Sequence, residues 1–95
     1  MTYEWSLAKA TANLKKHGVS FEDAATVFQD PVAMTFVDPD HSPEEHREIT
    51  IGHTIGQQLV FVSHCPRADR IRIISARKAT RSERRQYEDG IGEER

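Results

Sequence analysis

Arginine and lysine crowd one stretch near the C-terminal end, "RIRIISARKATRSERRQYEDG", Arg70 to Gly90. Arg70 and Arg72 alternate with Ile71 and Ile73, so on a strand they project from the opposite face. Arg77 and Lys78 follow where the strand pattern gives way to a helical one. Arg81, Arg84 and Arg85 then recur at i, i+3 and i, i+4 spacing. Like charges so placed repel one another, and the pattern therefore asks for an anion between them. The guanidinium fork binds two phosphate oxygens and stays charged. Free amides at a helix start add to such a site. The strand–helix junction is suited to hold a phosphate.

Ordinary roles compete for the same residues. Arg84 and Arg85 can pair with Glu88 and Asp89 on a solvated helix. Arg70 and Arg72 can be charges that keep an edge strand from aggregating. Arg77 and Arg81 are harder to explain this way, since a cation in the first helical turn opposes the helix dipole. His17 is the histidine best placed for acid–base work, with Lys15 and Lys16 beside it. Its competing role is to hydrogen-bond the last carbonyls of its helix. Glu83 can act as a base, but a capping box with Thr80 already accounts for it. His41, His46, His53 and His64 show no metal-ligand spacing, and no cofactor fingerprint is present.

The charge is unevenly spread. The chain has 95 residues and formal net charge −2. Between Phe21 and Thr50, eight carboxylates face Arg47 alone, a net −7. Between His64 and Arg85, eight basic residues face Asp69 and Glu83, a net +6. Such asymmetry fits a polyanion-binding face on an acidic body, or two solvated faces that balance.

These residues need elements to position them. Tyr3–Trp5 suits a short strand. Ser6 caps a helix ending at His17-Gly18, with Leu7, Ala10 and Leu14 on the expected buried face and Asn13 on another. Ser20 caps a second helix, whose stripe is Phe21, Ala24, Ala25 and Phe28, and Asp30-Pro31 stops it. Strands are expected over Val32–Val37, Arg47–His53, Leu59–Cys65 and Arg70–Ala76. An acidic loop (Asp38–His46), a turn carried by Gly56 and the turn "PRAD" join them. A helix capped by Thr80 follows, and the tail after Gly90 is expected to fray. The result is an α+β domain over residues 1–90, with the tail at 91–95. An antiparallel four-stranded sheet plus a short N-terminal strand packs against helices, in the order β-α-α-β-β-β-β-α.

Length allows one domain. Cys65 is the single cysteine, which points to a reducing, cytoplasmic setting. No apolar run approaches the ~20 residues of a membrane span, and the N-terminus lacks the pattern of a signal peptide.

"EWSLAKATANLKKHGVSFEDA" (Glu4–Ala25) and "RIRIISARKATRSERRQYE" (Arg70–Glu88) resemble the two blocks of the BrnT-type toxins, also filed as DUF497. The resemblance covers nearly the whole chain. It implies a RelE-like fold, a type II toxin–antitoxin system, and a ribonuclease that arrests translation. It also implies a BrnA-type antitoxin that dimerises, binds operator DNA and gathers the toxin into a heterotetramer. Metal-free RNA cleavage needs an acceptor for the 2′-OH proton, cations for the phosphorane and a donor for the leaving oxygen. The candidate catalytic residues are Arg77, Arg81 and His17. Lys15, Lys16, Arg70, Arg72, Lys78, Arg84 and Arg85 are candidates for binding RNA. No cofactor is expected. The competing functions are an RNA- or ribosome-binding module that does not cut, and a regulatory subunit whose basic groove receives an antitoxin segment.

Overall fold

The computed structural model describes residues 2–40 and 45–93, and side chains as far as Gly90. Residues 41–44 of the expected acidic loop and 94–95 of the tail lie outside the described residues. The elements are β1 (Thr2–Glu4), α1 (Leu7–His17), α2 (Phe21–Ala25), a 3-10 turn (Thr26–Gln29), β2 (Met34–Val37), β3 (Glu48–His53), β4 (Leu59–Arg67), β5 (Arg70–Lys78) and α3 (Arg81–Glu93). None of the described helices is long and apolar enough to cross a membrane.

The strands form one sheet of five, in the order β1-β5-β4-β3-β2. Expectation and structure differ here. The N-terminal strand is part of the sheet, and it pairs parallel with β5, so the sheet is mixed. The parallel pairing follows from α1: an 11-residue helix separates β1 from the rest of the chain, so no tight hairpin constrains its direction.

Helices cover both faces. α1, α2 and the 3-10 turn lie on one, where Val19, Phe21, Ala24 and Val27 bury against Val60, Val62, Ile73 and Ala76. Phe21 is fully buried, and a side chain of that size contributes about 2–3 kcal/mol on burial. α3 lies on the other face, where Tyr87 packs with Ile49, Ile51 and Leu59.

Most caps match the sequence pattern. Ser6 accepts from the Lys9 amide, Ser20 accepts from the Asp23 amide, and Gly18 takes the left-handed conformation with φ 72°. Thr80 and Glu83 complete a reciprocal box. One turn departs from expectation. The left-handed residue of the β3–β4 hairpin is Gln57, not Gly56, and Thr54 holds this turn by accepting the Gln58 amide at 3.2 Å. α3 runs past Gly90 to Glu93.

The orientation of α1 also differs. Leu7 is 80% exposed and Leu14 52%, whereas Asn13 is buried at 6%. β1 ends opposite Arg72, which leaves the outer edge of β5 unpaired beyond that point. Asn13 completes it: its Nδ2 donates to the Ala76 carbonyl (2.8 Å) and its Oδ1 accepts the Ala76 amide (3.1 Å). The same Nδ2 donates to the Val19 carbonyl at 3.0 Å, closing the α1–α2 turn. Unpaired backbone groups outrank leucine burial in deciding which way this helix turns.

His64 is a buried ionisable group, 2% exposed. Its Nε2 bonds the Thr50 hydroxyl at 2.7 Å, and its Nδ1 has no hydrogen-bond partner among the described residues. Burial pushes its pKa down, against the Glu48 carboxylate 3.9 Å away. The unfolded chain therefore takes up this proton at higher pH than the folded one. The contribution to stability is whole above roughly pH 6.5 and falls as pH drops toward the lower folded value. Urea midpoints measured across that window are expected to decline for the wild type and to run flatter for His64→Gln. Parallel slopes would remove His64 as the cause.

Candidate nucleic-acid interface

Arg72 and Arg77 lie five positions apart, so strict alternation would send them to opposite faces. The register shifts between Ser63 and His64, where β5 carries one extra residue, Ile74. The bulge returns Arg77 to the face that holds Arg72 and Glu4, opposite Ile73 and Ala76. The strand arginines do not form one cluster, however. Five residues of strand span roughly 17 Å. At the far end Glu4 answers both Arg72 (3.1 Å) and Arg70 (3.6 Å), and Asp69 lies 3.8 Å from Arg70.

The Arg77 fork is occupied. Its two terminal nitrogens donate to the two Glu83 oxygens, each at 2.8 Å, and its guanidinium lies 4.0 Å over the Phe61 ring. Arg77 holds the Glu83 carboxyl below its usual range, and Glu83 raises the Arg77 pKa in turn. Glu83 thus caps Thr80 and ties the start of α3 to the end of β5. The phosphate expected on Arg77 finds a carboxylate already there.

Glu83, Tyr87 and Gly90 form the inward stripe of α3. At about 100° per residue, Arg84, Arg81 and Arg85 stand roughly 100°, 160° and 200° around the helix from Glu83. They face away from the sheet and are exposed, as is Lys78. Glu88 and Asp89 lie within helical reach, yet none of these four cations has an ion pair among the described residues. Arg81 and Arg77 therefore lie on different sides of the helix start.

Lys15 and Lys16 are exposed on the last turn of α1, where cations complement the helix dipole. His17 is half-buried, one turn beyond Asn13, whose bonds to Ala76 set this helix end near the end of β5. No hydrogen bond among the described residues joins the three to Arg77 or to α3.

A second cluster was not visible in the sequence pattern. Asp30 Oδ2 accepts the Tyr87 hydroxyl (2.8 Å) and the His53 amide (2.8 Å), while Oδ1 accepts the Val32 amide (3.0 Å). His53 Nδ1 lies 3.1 Å from the Tyr87 oxygen, and the two rings meet edge to face. Burial pushes the Asp30 carboxyl up, but the three donors outweigh it and hold it below its ordinary value. Burial and the Asp30 carboxylate push the Tyr87 hydroxyl up to about 12. Gly52 makes the approach possible, since a Cβ there would sit 3.2 Å from Asp30 Oδ2 and 3.0 Å from the Ala33 Cβ. A glycine inside a strand was the one available signal of a close approach. Asp30 and His53 line a cleft of about 360 Å³.

A model of the family described as the ribonuclease toxin BrnT of type II toxin–antitoxin systems matches residues 5–83. The chain belongs to the BrnT family. A solved structure supports the same fold: the crystal structure of the Brucella abortus ribonuclease toxin BrnT is similar with a TM-score of 0.62 and 24% identity, covering 85% of this chain and 100% of that one. No curated protein matches the sequence. The BrnT match takes in Asp30, His53, Arg77 and Arg81, and it ends at Glu83, short of Arg84, Arg85 and Tyr87. Membership of a type II family implies an antitoxin partner for this BrnT chain.

Proposed function

We propose that this BrnT chain is an endoribonuclease that cuts RNA without a metal, in the cytoplasm, and so arrests translation. The observation that carries this reading is the outer face of α3, where Arg81, Arg84 and Arg85 stand exposed with no ion pair among the described residues. Like charges at helical spacing suit a line of phosphates. Arg77 acts here as a positioning residue, because its fork sets α3 against β5 through Glu83. Lys15 and Lys16 extend the basic surface. Arg70 and Arg72, half-neutralised by Glu4, contribute less. A BrnA-type antitoxin covers the basic face, and its own dimer brings two toxins and the operator together. The RelE-like class assigned to this fold belongs to the same reading.

Purified protein incubated with RNA in EDTA tests this. Cleavage that persists in the chelator, with products ending in a 2′,3′-cyclic phosphate, is the expected result. Salt-sensitive binding without cleavage would instead make the chain a binding module, and loss of cleavage on chelation would overturn the metal-free route.

A further inference from the structure

We propose that the cleft beside Asp30 is a catalytic subsite for single-stranded RNA, with His53 as the base that takes the 2′-OH proton; this rests on the ribonuclease reading above. The hydrogen-bond order carries it. The Tyr87 hydroxyl spends its proton on Asp30 Oδ2, so its oxygen faces His53 as an acceptor. His53 Nδ1 must then carry the ring proton and donate it to Tyr87. The lone pair is left on Nε2, which has no partner among the described residues. The side chain is 34% exposed and lines the cleft. When Nε2 accepts a proton, the Asp30 carboxylate lies 3.9 Å from Nδ1 to stabilise the imidazolium. This is the logic of a base oriented by a fixed carboxylate, with a tyrosine hydroxyl inserted between the two.

The surroundings fit. The titratable groups that face His53 are Asp30, from the turn before β2, and Tyr87, from α3. The β3–β4 hairpin supplies only the uncharged Thr54, Ile55 and Gln57. A cleft of about 360 Å³ is at the small end of ligand sites, a size for one nucleotide rather than a folded partner. Gln29 and Gln57 offer side-chain amides to a base or ribose.

The cleft also lies at the basic end of the sheet. His53 pairs with Leu59, whose carbonyl accepts the Ala79 amide at 3.0 Å. Two strand spacings, about 10 Å, therefore separate the His53 backbone from the chain that opens α3. Tyr87 follows Arg84 by three residues, less than one turn. An RNA strand seated in the cleft can present its 2′-OH to Nε2. The 2′-oxygen bonds to phosphorus as its proton passes to His53. The bond from phosphorus to the 5′-oxygen breaks, and that oxygen takes a proton from water. The products are a 2′,3′-cyclic phosphate and a 5′-OH, and His53 returns its proton to solvent.

The test compares wild type, His53→Gln, His53→Ala and Tyr87→Phe in single-turnover cleavage of a short RNA, alongside a copy with 2′-deoxyribose at the cleaved position. His53→Gln is expected to bind RNA as wild type does, to melt at the same temperature, and to cut at least a hundredfold more slowly. The acid limb of the wild-type pH–rate profile is expected to vanish in it. Added imidazole should restore part of the rate to His53→Ala. Tyr87→Phe is expected to slow the cleavage step with little change in RNA affinity, because the ring loses its orienting partner. If wild type cuts RNA and His53→Gln cuts equally fast, the role of His53 is overturned while the ribonuclease stands. If wild type binds RNA and cuts none, the ribonuclease reading fails and this subsite fails with it.

Discussion

The triple variant Arg81→Glu, Arg84→Glu, Arg85→Glu is expected to lose RNA binding and growth arrest while folding normally. Three phosphate contacts to single-stranded RNA give a slope near −2 in log affinity against log salt, since each contributes about −0.7. These three contacts should thus account for a roughly twentyfold fall in affinity between 50 and 200 mM salt, and the variant should lose that part of the dependence. Reversing the charges adds repulsion, so binding at low salt is expected to weaken by on the order of a hundredfold or more. Stability should not suffer, because none of the three has an ion pair among the described residues. Replacing Arg81 by an acid in the first turn even favours the helix dipole. Filter binding over a salt series, with thermal melts as the folding control, decides the matter. Unchanged affinity and slope would move the RNA surface off α3. Retained binding with a lower melting temperature would mean that these arginines serve the fold.

Asn13→Ala should be among the most destabilising single changes in the protein. It removes three hydrogen bonds of 2.8–3.1 Å and leaves both Ala76 backbone groups without partners at a buried edge. Each lost bond costs about 1 kcal/mol. A total of about 3 kcal/mol is a large share of the roughly 5–15 kcal/mol that holds a domain together. It corresponds to a melting temperature lower by roughly 15 °C. Leu14→Ala, one position on and 52% exposed, is expected to be nearly silent. Urea unfolding of both variants provides the measurement. A costlier Leu14→Ala than Asn13→Ala would mean that α1 turns its leucines inward, as helical spacing alone suggests.

Much of the fold was legible because local rules suffice for it. Ser6, Ser20, Thr80 and Gly18 mark helix ends through bonds made within a few residues, and each does so in the structure. Alternating residue types over Arg47–His53 and the continuous apolar run from Leu59 locate β3 and β4, and both strands are buried on their two faces. The family, too, could be read from two blocks of residues, and the match over 5–83 bears that out.

What decides the site is long-range, and no local pattern carries it. Glu83 reads as a cap until β5 brings the Arg77 fork onto it. Asp30 reads as a helix stop until β3 and α3 deliver His53 and Tyr87 to its carboxylate, from 23 and 57 residues away. A single extra residue, Ile74, sets which face Arg77 occupies, and alternation counted along the strand cannot register it. Composition and spacing by themselves determined that this chain would be basic at one strand–helix junction. Only tertiary structure decided which of those cations are free. A charge is neutralised by whatever carboxylate packs against it, and packing joins residues that the sequence keeps far apart.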